Sequence, residues 1–196
     1  MPPSTHSPRI LAFAGSTRKD SYNKKLINIA AGAARQAGAE VTVVDLAQLA
    51  MPLYDGDLEA REGIPPNGKK FKELLKSHQG MLIAAPEYNS SITGVLKNAI
   101  DWASRPEPNE PALVAFAGKV AGIMSASPGA LGGLRGLVHL RAILGNIHVI
   151  VVTDQVAINT AHEAFNPDGS LKDEKKQAAV EGLAKKVVSV TSRLMG

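Results

Sequence analysis

The stretch ILAFAGSTRKDSYN, residues 10–23, begins with five consecutive apolar residues and continues into a loop of hydroxyl and charged side chains. An uninterrupted apolar run of this length is typical of a strand buried on both faces, as in a parallel sheet. After the loop, apolar residues recur at helical spacing: Leu26, Ile29, Ala30, Ala33 and Ala37. The stretch therefore predicts a buried strand, a polar loop and a helix that ends near the flexible Gly38.

The loop between this strand and this helix has the composition of a phosphate site. Its donors are hydroxyls, a guanidinium and an amide: Ser16, Thr17, Arg18, Ser21 and Asn23. Unpaired backbone N–H groups and the positive end of the helix dipole favour an anion at the same place. The alternative is a plain capped turn, because serine and aspartate are common capping residues. The number of donors favours phosphate.

Composition narrows the class of protein. A chain of 196 residues with 44% hydrophobic and 20% charged residues fits one globular domain, residues 1–196. The absence of cysteine excludes disulfides, iron–sulfur clusters, thiolate metal sites and a cysteine nucleophile. The net charge of +4 comes from dispersed lysines and arginines, so we expect no nucleic-acid partner.

The N-terminal residues 1–9 are polar and lack the apolar core of a signal peptide. No apolar run is long enough to cross a membrane. We therefore expect a cytoplasmic protein without a membrane partner.

Apolar runs predict four further strands, at 41–44, 81–85, 120–124 and 147–152. Helical periodicity predicts helices at about 69–78, 93–104, 134–144 and from 171 onward, while proline, glycine and acidic residues at 51–68 predict a long surface loop. This alternation is typical of an α/β three-layer sandwich, with helices on both faces of a parallel sheet. Five strands favour the flavodoxin-like order 2-1-3-4-5.

In that order, ligands bind beyond the carboxyl ends of the strands, where the strand order reverses between strands one and three. The loops expected there are 15–23, 86–92 and 125–133, and all three are polar or rich in glycine. Because the three segments are separate in sequence, their shared chemistry supports a ligand site at this edge more strongly than any one of them alone.

The second and third loops are suited to a planar ring. Pro86-Glu87-Tyr88-Asn89 offers an aromatic ring between hydrogen-bonding groups, although in isolation a surface turn with Asn89 or Ser91 capping the next helix explains these residues better. The stretch 125–129 has small side chains that let a ring approach the backbone. Glycines at 132 and 133 would cost a helix about 1 kcal/mol each, which indicates close approach by a ligand or another backbone. The alternative is a flexible loop without a ligand.

The sequence gives little support for a Rossmann dinucleotide site, a P-loop or a metal site. The chain has neither a G-x-G-x-x-G after a strand nor a G-K-[ST] phosphate loop. It has no H-E-x-x-H or other metal-ligand spacing, and we interpret His139 and His148 as structural. The acidic residues at 55, 57 and 59 are interpreted as a solvated loop.

Three blocks in combination resemble the NAD(P)H-dependent FMN reductase family, and within it the bacterial chromate and quinone reductases. They are Gly15-Ser16-x-Arg18-x-x-Ser21-x-Asn23; Pro86-Glu87-Tyr88-Asn89 followed by Leu96-Lys97-Asn98-Ala99-Ile100-Asp101-Trp102-x-Ser104-Arg105; and Ser127-Pro128-Gly129-x-x-Gly132-Gly133 followed by His139-Leu140-Arg141. The resemblance extends from the first strand to about Asn166.

The resemblance implies an enzyme in which FMN carries hydride from NADH or NADPH through its N5 atom, without a protein acid or base. It assigns the FMN phosphate to the first loop: Ser16, Arg18, Ser21, Tyr22 and Asn23. It assigns the isoalloxazine ring to the other two loops: Pro86, Glu87, Tyr88, Asn89, Ser125, Ala126, Ser127, Pro128 and Gly129.

The resemblance also implies small-molecule acceptors, namely quinones, azo dyes, ferric complexes or chromate, and a homodimer or homotetramer with a contact near Trp102. Three alternatives stay open at this point: a flavodoxin-type electron carrier, a reductase of free FMN, and a binding module that keeps a nucleotide without turnover. The positive net charge disfavours the carrier, since such carriers are usually acidic. No segment distinguishes NADH from NADPH.

Overall fold

Strands and helices alternate along residues 7–196, the part of the chain that the computed structural model describes. The strands are β1 (Arg9–Ala14), β2 (Glu40–Asp45), β3 (Gly80–Ala84), β4 (Glu87–Tyr88), β5 (Ser91–Ile92), β6 (Val120–Ala126) and β7 (Ile150–Ile158). The α-helices are α1 (Tyr22–Gln36), α2 (Gly56–Glu62), α3 (Pro66–Ser77), α4 (Gly94–Ser104), α5 (Leu134–Asn146) and α6 (Glu174–Leu194). A short 3-10 helix follows β2 at Leu46–Gln48.

Five of the strands form one parallel sheet in the order β2-β1-β3-β6-β7. Counted along the chain without the small β4–β5 pair, this is the order 2-1-3-4-5, so the flavodoxin-like prediction is confirmed. The order reverses between β1 and β3, which places the crevice for a ligand beyond the carboxyl ends of these two strands and of β6.

Two apolar clusters cover the two faces of the sheet. Ile10 and Ala12 of β1 belong to the cluster that contains α1 and α6, whereas Leu11 and Phe13 belong to the cluster that contains α3, α4 and α5. Alternate residues of the same strand therefore point to opposite layers, as the period of a strand requires. Burial on both faces explains why β1 is apolar without interruption.

The segment 51–68 is more ordered than the sequence predicts. It contains α2 and the first residues of α3, so the prediction of a loop throughout is wrong. No residue of α2 is buried, and the helix therefore leaves no apolar periodicity to detect. Asp55 caps α2 by accepting a hydrogen bond from the Asp57 N–H, and Pro66 occupies the first turn of α3, where its missing N–H costs nothing.

Two strand predictions stop too early. β6 continues to Ala126, so Ser125 and Ala126 belong to the strand rather than to the following loop. β7 extends from Ile150 to Ile158. A bulge lies between its pairings with Ala121 and Ile123 of β6, and the strand continues beyond it. Polar residues in the bulge interrupt the apolar pattern that predicted the end of the strand.

One further boundary concerns the last helix. α6 begins at Glu174, after the N-cap Asp173, rather than at Leu171. Within the described residues, no helix has the length and apolar character needed to cross a membrane.

Candidate functional site

The three predicted loops meet at the carboxyl edge of the sheet. The Gly15 N–H donates to the Ala84 carbonyl at 2.8 Å, and the Ser127 N–H donates to the Ile158 carbonyl at 3.0 Å. These bonds continue the strand ladder into the first and third loops, so both loops start from a rigid base. The second loop leaves β3 at Pro86, between them.

The first loop is held in place by the N-terminal end of α4. The Thr93 hydroxyl donates to the Gly15 carbonyl at 2.6 Å and also caps α4 by accepting from the Leu96 N–H. A Cβ on Gly15 would lie 2.9 Å from the Leu96 Cβ, so only glycine allows α4 to approach this closely. Thr93, rather than Asn89 or Ser91, is therefore the cap of α4, and no sequence pattern indicates its second contact, with Gly15.

The start of α1 is left without a side-chain cap. Ser21 occupies the N-cap position with an extended backbone, yet its side chain makes no cap hydrogen bond, and the first turn has no acidic residue. The exposed Arg18 guanidinium has no hydrogen-bond or ion-pair partner within residues 7–196. The Ser16 hydroxyl is buried and accepts from the Arg18 N–H at 3.3 Å. A helix N-terminus beside an unpaired guanidinium fits an anion such as phosphate.

Asn23 joins the first and third loops. Its Nδ2 donates to the Ala126 carbonyl at 2.8 Å, and its Oδ1 accepts from the Ala126 N–H at 3.0 Å. The last hydrogen bond between the β3 side and β6 runs from the Ala85 N–H to the carbonyl of Met124, which lies two residues before Ala126. The backbone of Ala126 therefore faces the place where β3 has ended. The Asn23 amide takes the position of the missing peptide group there. Because both polar atoms of the Asn23 side chain bind Ala126, Asn23 supports the phosphate site by joining its loops.

Tyr22, the first residue of α1, packs away from the loop. Its ring stacks on Phe165 with centroids 6.1 Å apart and an interplanar angle of 6°. The stacking ties the start of α1 to the segment that follows β7.

The second loop is a tight hairpin, which the sequence pattern does not predict. β4 and β5 pair antiparallel, and the two residues between them, Asn89 and Ser90, both have positive φ, at 50° and 66°. Positive φ at both central residues is the mark of a type I′ turn. Tyr88 stands on this hairpin and is 56% exposed. Its ring is therefore available to a ligand.

The carboxylate of Glu87 is bound to α5. Its Oε1 accepts from the Arg135 guanidinium at 2.7 and 3.0 Å, and its Oε2 accepts from the Gly136 N–H at 3.0 Å. Burial acts to raise the pKa of Glu87, but the hydrogen bonds from Gly136 and Arg135 outweigh it, so the pKa is lowered. The carboxylate thus stays ionised and holds α5.

In the third loop, the glycines make room for other parts of the chain. A Cβ on Gly132 would lie 2.7 Å from the Asn159 nitrogen, and one on Gly133 would lie 2.0 Å from the Ser125 Oγ. Close approach by another backbone is therefore confirmed for Gly132, whereas the nearest neighbour of Gly133 is the Ser125 side chain. Ser125 Oγ is buried and has no hydrogen-bond partner among the described residues. Pro128 and Gly129 are exposed at the edge.

Trp102 lies inside the chain. It is fully buried, and its Nε1 donates to the Pro52 carbonyl at 2.8 Å. The Asn98 side chain holds the same segment, by donating to the Pro52 carbonyl and accepting from the Tyr54 N–H. Trp102 therefore cannot itself reach another molecule, and any contact in this region would be made by the segment that covers it.

The crevice thus has two kinds of residue. Arg18, Tyr88, Asn89, Pro128 and Gly129 are exposed on three neighbouring loops. Asn23 and Glu87 hold these loops in place. Such a site can bind an anion at one end and a planar ring at the other, and its donor set fits a flavin mononucleotide.

Comparison with known proteins gives the same assignment. A family model described as NADPH-dependent FMN reductase matches residues 8–163. The chain is 38% identical to the NAD(P)H-dependent FMN reductase of Pseudomonas aeruginosa over 174 residues, 88% of this chain and 89% of that protein. It is 36% identical to the NAD(P)H:quinone oxidoreductase of Solanum tuberosum over 194 residues, 96% of this chain and 95% of that protein.

A solved structure is also similar. FerB, a flavoenzyme NAD(P)H:(acceptor) oxidoreductase of Paracoccus denitrificans, superposes with a TM-score of 0.80 at 29% identity, and the match covers 95% of this chain and 98% of that one. The family match includes all five strands of the sheet and all three loops of the site. The chain therefore belongs to the NADPH-dependent FMN reductase family and is an oxidoreductase that works with FMN and NAD(P)H.

Proposed function

We propose that this protein holds FMN at the carboxyl edge of the sheet and reduces quinones and other small acceptors with electrons from NAD(P)H. The observation that carries the proposal is that, within residues 7–196, the start of α1 has no side-chain cap and the exposed Arg18 guanidinium has no partner, while Tyr88 is exposed on the loop after the neighbouring strand β3. When bound, the flavin ring accepts a hydride from the nicotinamide and passes two electrons to an acceptor.

The residues divide between binding and support. Arg18, with Ser16, Ser21 and the N–H groups of the first turn of α1, would bind the phosphate. Pro86, Tyr88 and Asn89 on one side, and Ser125 to Gly129 on the other, would hold the ring. Tyr22, Asn23 and Glu87 would act mainly by fixing these loops, because their side chains already contact other parts of the chain.

The direct test is an anaerobic absorbance titration of the purified protein with NADH and, separately, with NADPH. The expected result is bleaching of a bound flavin in one two-electron step, and the more effective donor gives the nucleotide preference. A flavin that ignores both donors but forms a semiquinone with dithionite would identify an electron carrier instead. A colourless protein would indicate a reductase of free FMN or a binding module.

The phosphate assignment has its own matched test. Arg18→Ala should weaken FMN binding severely, whereas Lys19→Ala, which removes an exposed cation from the same loop, should change it little. Fluorescence titration of the flavin-free protein measures both affinities. Full flavin occupancy in the Arg18 variant, or an equal loss in both variants, would refute a specific guanidinium–phosphate contact.

The range of acceptors is a further part of the proposal. The names of relatives from Solanum tuberosum and Escherichia coli support quinones. Azo dyes, ferric complexes and chromate are proposed because they are small oxidants that could take the place vacated by the nicotinamide. Steady-state rates with one member of each class, at equal concentration and fixed donor, rank them. A chain that reduces only quinones would remove the other three classes.

We also propose that the protein is a homodimer or homotetramer and is cytoplasmic. The segment that covers Trp102 exposes apolar surface, with Leu53 79% and Tyr54 36% exposed. Leu53→Asp should shift the mass measured by light scattering towards the monomer. Leu194→Asp, which changes an exposed leucine near the end of α6, is the control and should not.

A further inference from the structure

The hairpin β4–β5 is fastened to α5 by side chains from both of its strands. Glu87 of β4 contacts the Arg135 guanidinium at 2.7 Å and the Gly136 N–H at 3.0 Å. Ser91 of β5 contacts His139, with its Oγ 2.9 Å from Nδ1 of the imidazole. Arg135, Gly136 and His139 all lie in the first two turns of α5. The fastening therefore joins one short stretch of helix to both strands of the hairpin.

The start of α5 has no side-chain acceptor of its own, and the hairpin supplies one. Its N-cap is Gly133, which has no side chain to offer, and its first turn has no acidic residue. The carboxylate of Glu87 supplies the acceptor and the negative charge that a helix N-terminus favours. Only 9% of the Glu87 side chain is exposed, so the pair with Arg135 is partly shielded from water.

Glycine allows the close approach. A Cβ on Gly136 would lie 3.2 Å from the Ser91 carbonyl oxygen and 3.5 Å from the Glu87 Cβ. The hairpin backbone thus packs directly against α5 at Gly136, which has no side chain. Arg135 and His139, which bind the two strands, lie before and after Gly136 in the helix.

The hairpin lies outside the main sheet and is joined to the rest of the fold at its base, where Ile92 is buried in the apolar cluster of α3, α4 and α5 and the Thr93 hydroxyl donates to the Gly15 carbonyl. β4 and β5 form a separate two-stranded sheet and do not pair with the five-stranded sheet. An isolated two-stranded hairpin is at most marginally stable in water. Besides this anchorage, the hydrogen bonds of Glu87 and Ser91 with α5 constrain the hairpin, and with it the position of Tyr88, which directly follows Glu87.

We propose that Arg135 and His139 are positioning residues, which act through Glu87 and Ser91 to fix the hairpin that presents Tyr88 to the flavin ring. The proposal rests on the proposed function, because the ring is the ligand that Tyr88 would meet. Neither residue touches the ring. Their effect is to hold the hairpin in one orientation, so that binding does not have to order it.

The first test uses the flavin-free protein. Hydrogen exchange of the amides at 87–92 is measured in the wild type, Arg135→Met, His139→Ala and Arg141→Met. Arg141 is the matched control, because it lies on the same helix but donates to the carbonyl of Val152 in β7. Loss of one partly exposed ion pair should speed exchange in the hairpin about fivefold in Arg135→Met, with a smaller increase in His139→Ala and none in Arg141→Met. Equal exchange in Arg135→Met and Arg141→Met would overturn the fastening.

The second test uses the FMN-loaded protein. Visible circular dichroism of the flavin and kcat should both change in Arg135→Met, while the affinity for FMN should fall much less than in Arg18→Ala. Arg135→Lys, which restores the charge, should recover part of the dichroism. Faster exchange in the hairpin with unchanged dichroism and kcat would overturn the positioning role alone. A wild-type protein that binds no FMN would overturn the proposed function and this role together.

Discussion

Asn23→Ala should destabilise the flavin-free protein by breaking the junction between two loops of the site. The substitution removes both hydrogen bonds between the Asn23 amide and the backbone of Ala126, at 2.8 and 3.0 Å. Asn23 and Ala126 are each only 3% exposed, so water cannot easily replace the lost partner. The Ala126 N–H and carbonyl would then remain unpaired in a buried place.

The magnitude follows from these contacts. A typical hydrogen bond contributes about 1 kcal/mol, and each buried group left unpaired costs about 1–3 kcal/mol. Because Ala126 lies at the end of its strand, some water can enter, and we expect a total of about 2–4 kcal/mol. Asn98 is the matched control. It makes the same pair of bonds, to Tyr54 and Pro52 at 2.8 and 2.9 Å, but in an exposed segment. Asn98→Ala should cost about 1 kcal/mol.

Urea denaturation of the flavin-free variants measures both values, with the slope of the transition checked for constancy. The reasoning would be refuted if Asn23→Ala lost no more stability than Asn98→Ala. If Asn23 acted only on the phosphate, the flavin-free protein would keep its stability and only the affinity for FMN would fall.

Three further predictions concern other parts of the fold. Glu110→Ala should cost about 2–4 kcal/mol in urea denaturation, because the ammonium of Lys72, which is 1% exposed, loses its main partner. Gly132→Ala should lower the melting temperature, since this residue has a φ of +61° and a Cβ would lie 2.7 Å from the Asn159 nitrogen. A wild-type melting temperature in this variant would contradict the close approach. The third prediction concerns pH. The folded-state pKa of Glu87 is lowered, so its contribution is present above the unfolded pKa and is lost as pH falls through the folded value. The stability difference between wild type and Glu87→Gln should therefore shrink from pH 7 towards pH 3, and a constant difference would contradict the ionised contact.

Much of the fold could be predicted from the sequence because its cause is local. A strand buried on both faces must be apolar throughout, and a helix on such a sheet must repeat its apolar residues at helical spacing. These patterns locate all five strands of the sheet and indicate its order. They miss α2, which buries no residue, and the hairpin β4–β5, whose strands have two residues each and show no period. They also end β7 too early, because its bulge is polar.

The candidate site divides in the same way. The residue types at 15–23, 86–92 and 125–133 and their place at one sheet edge are determined by the sequence. The partners of those side chains are not. Asn23 bonds a residue 103 positions away, and the Glu87 carboxylate bonds residues 48 and 49 positions away. Hydrogen bonds form between groups about 3 Å apart, and such proximity arises only when the sheet and helices have packed. The tertiary structure therefore decided which of these side chains remain available to a ligand and which hold the loops together.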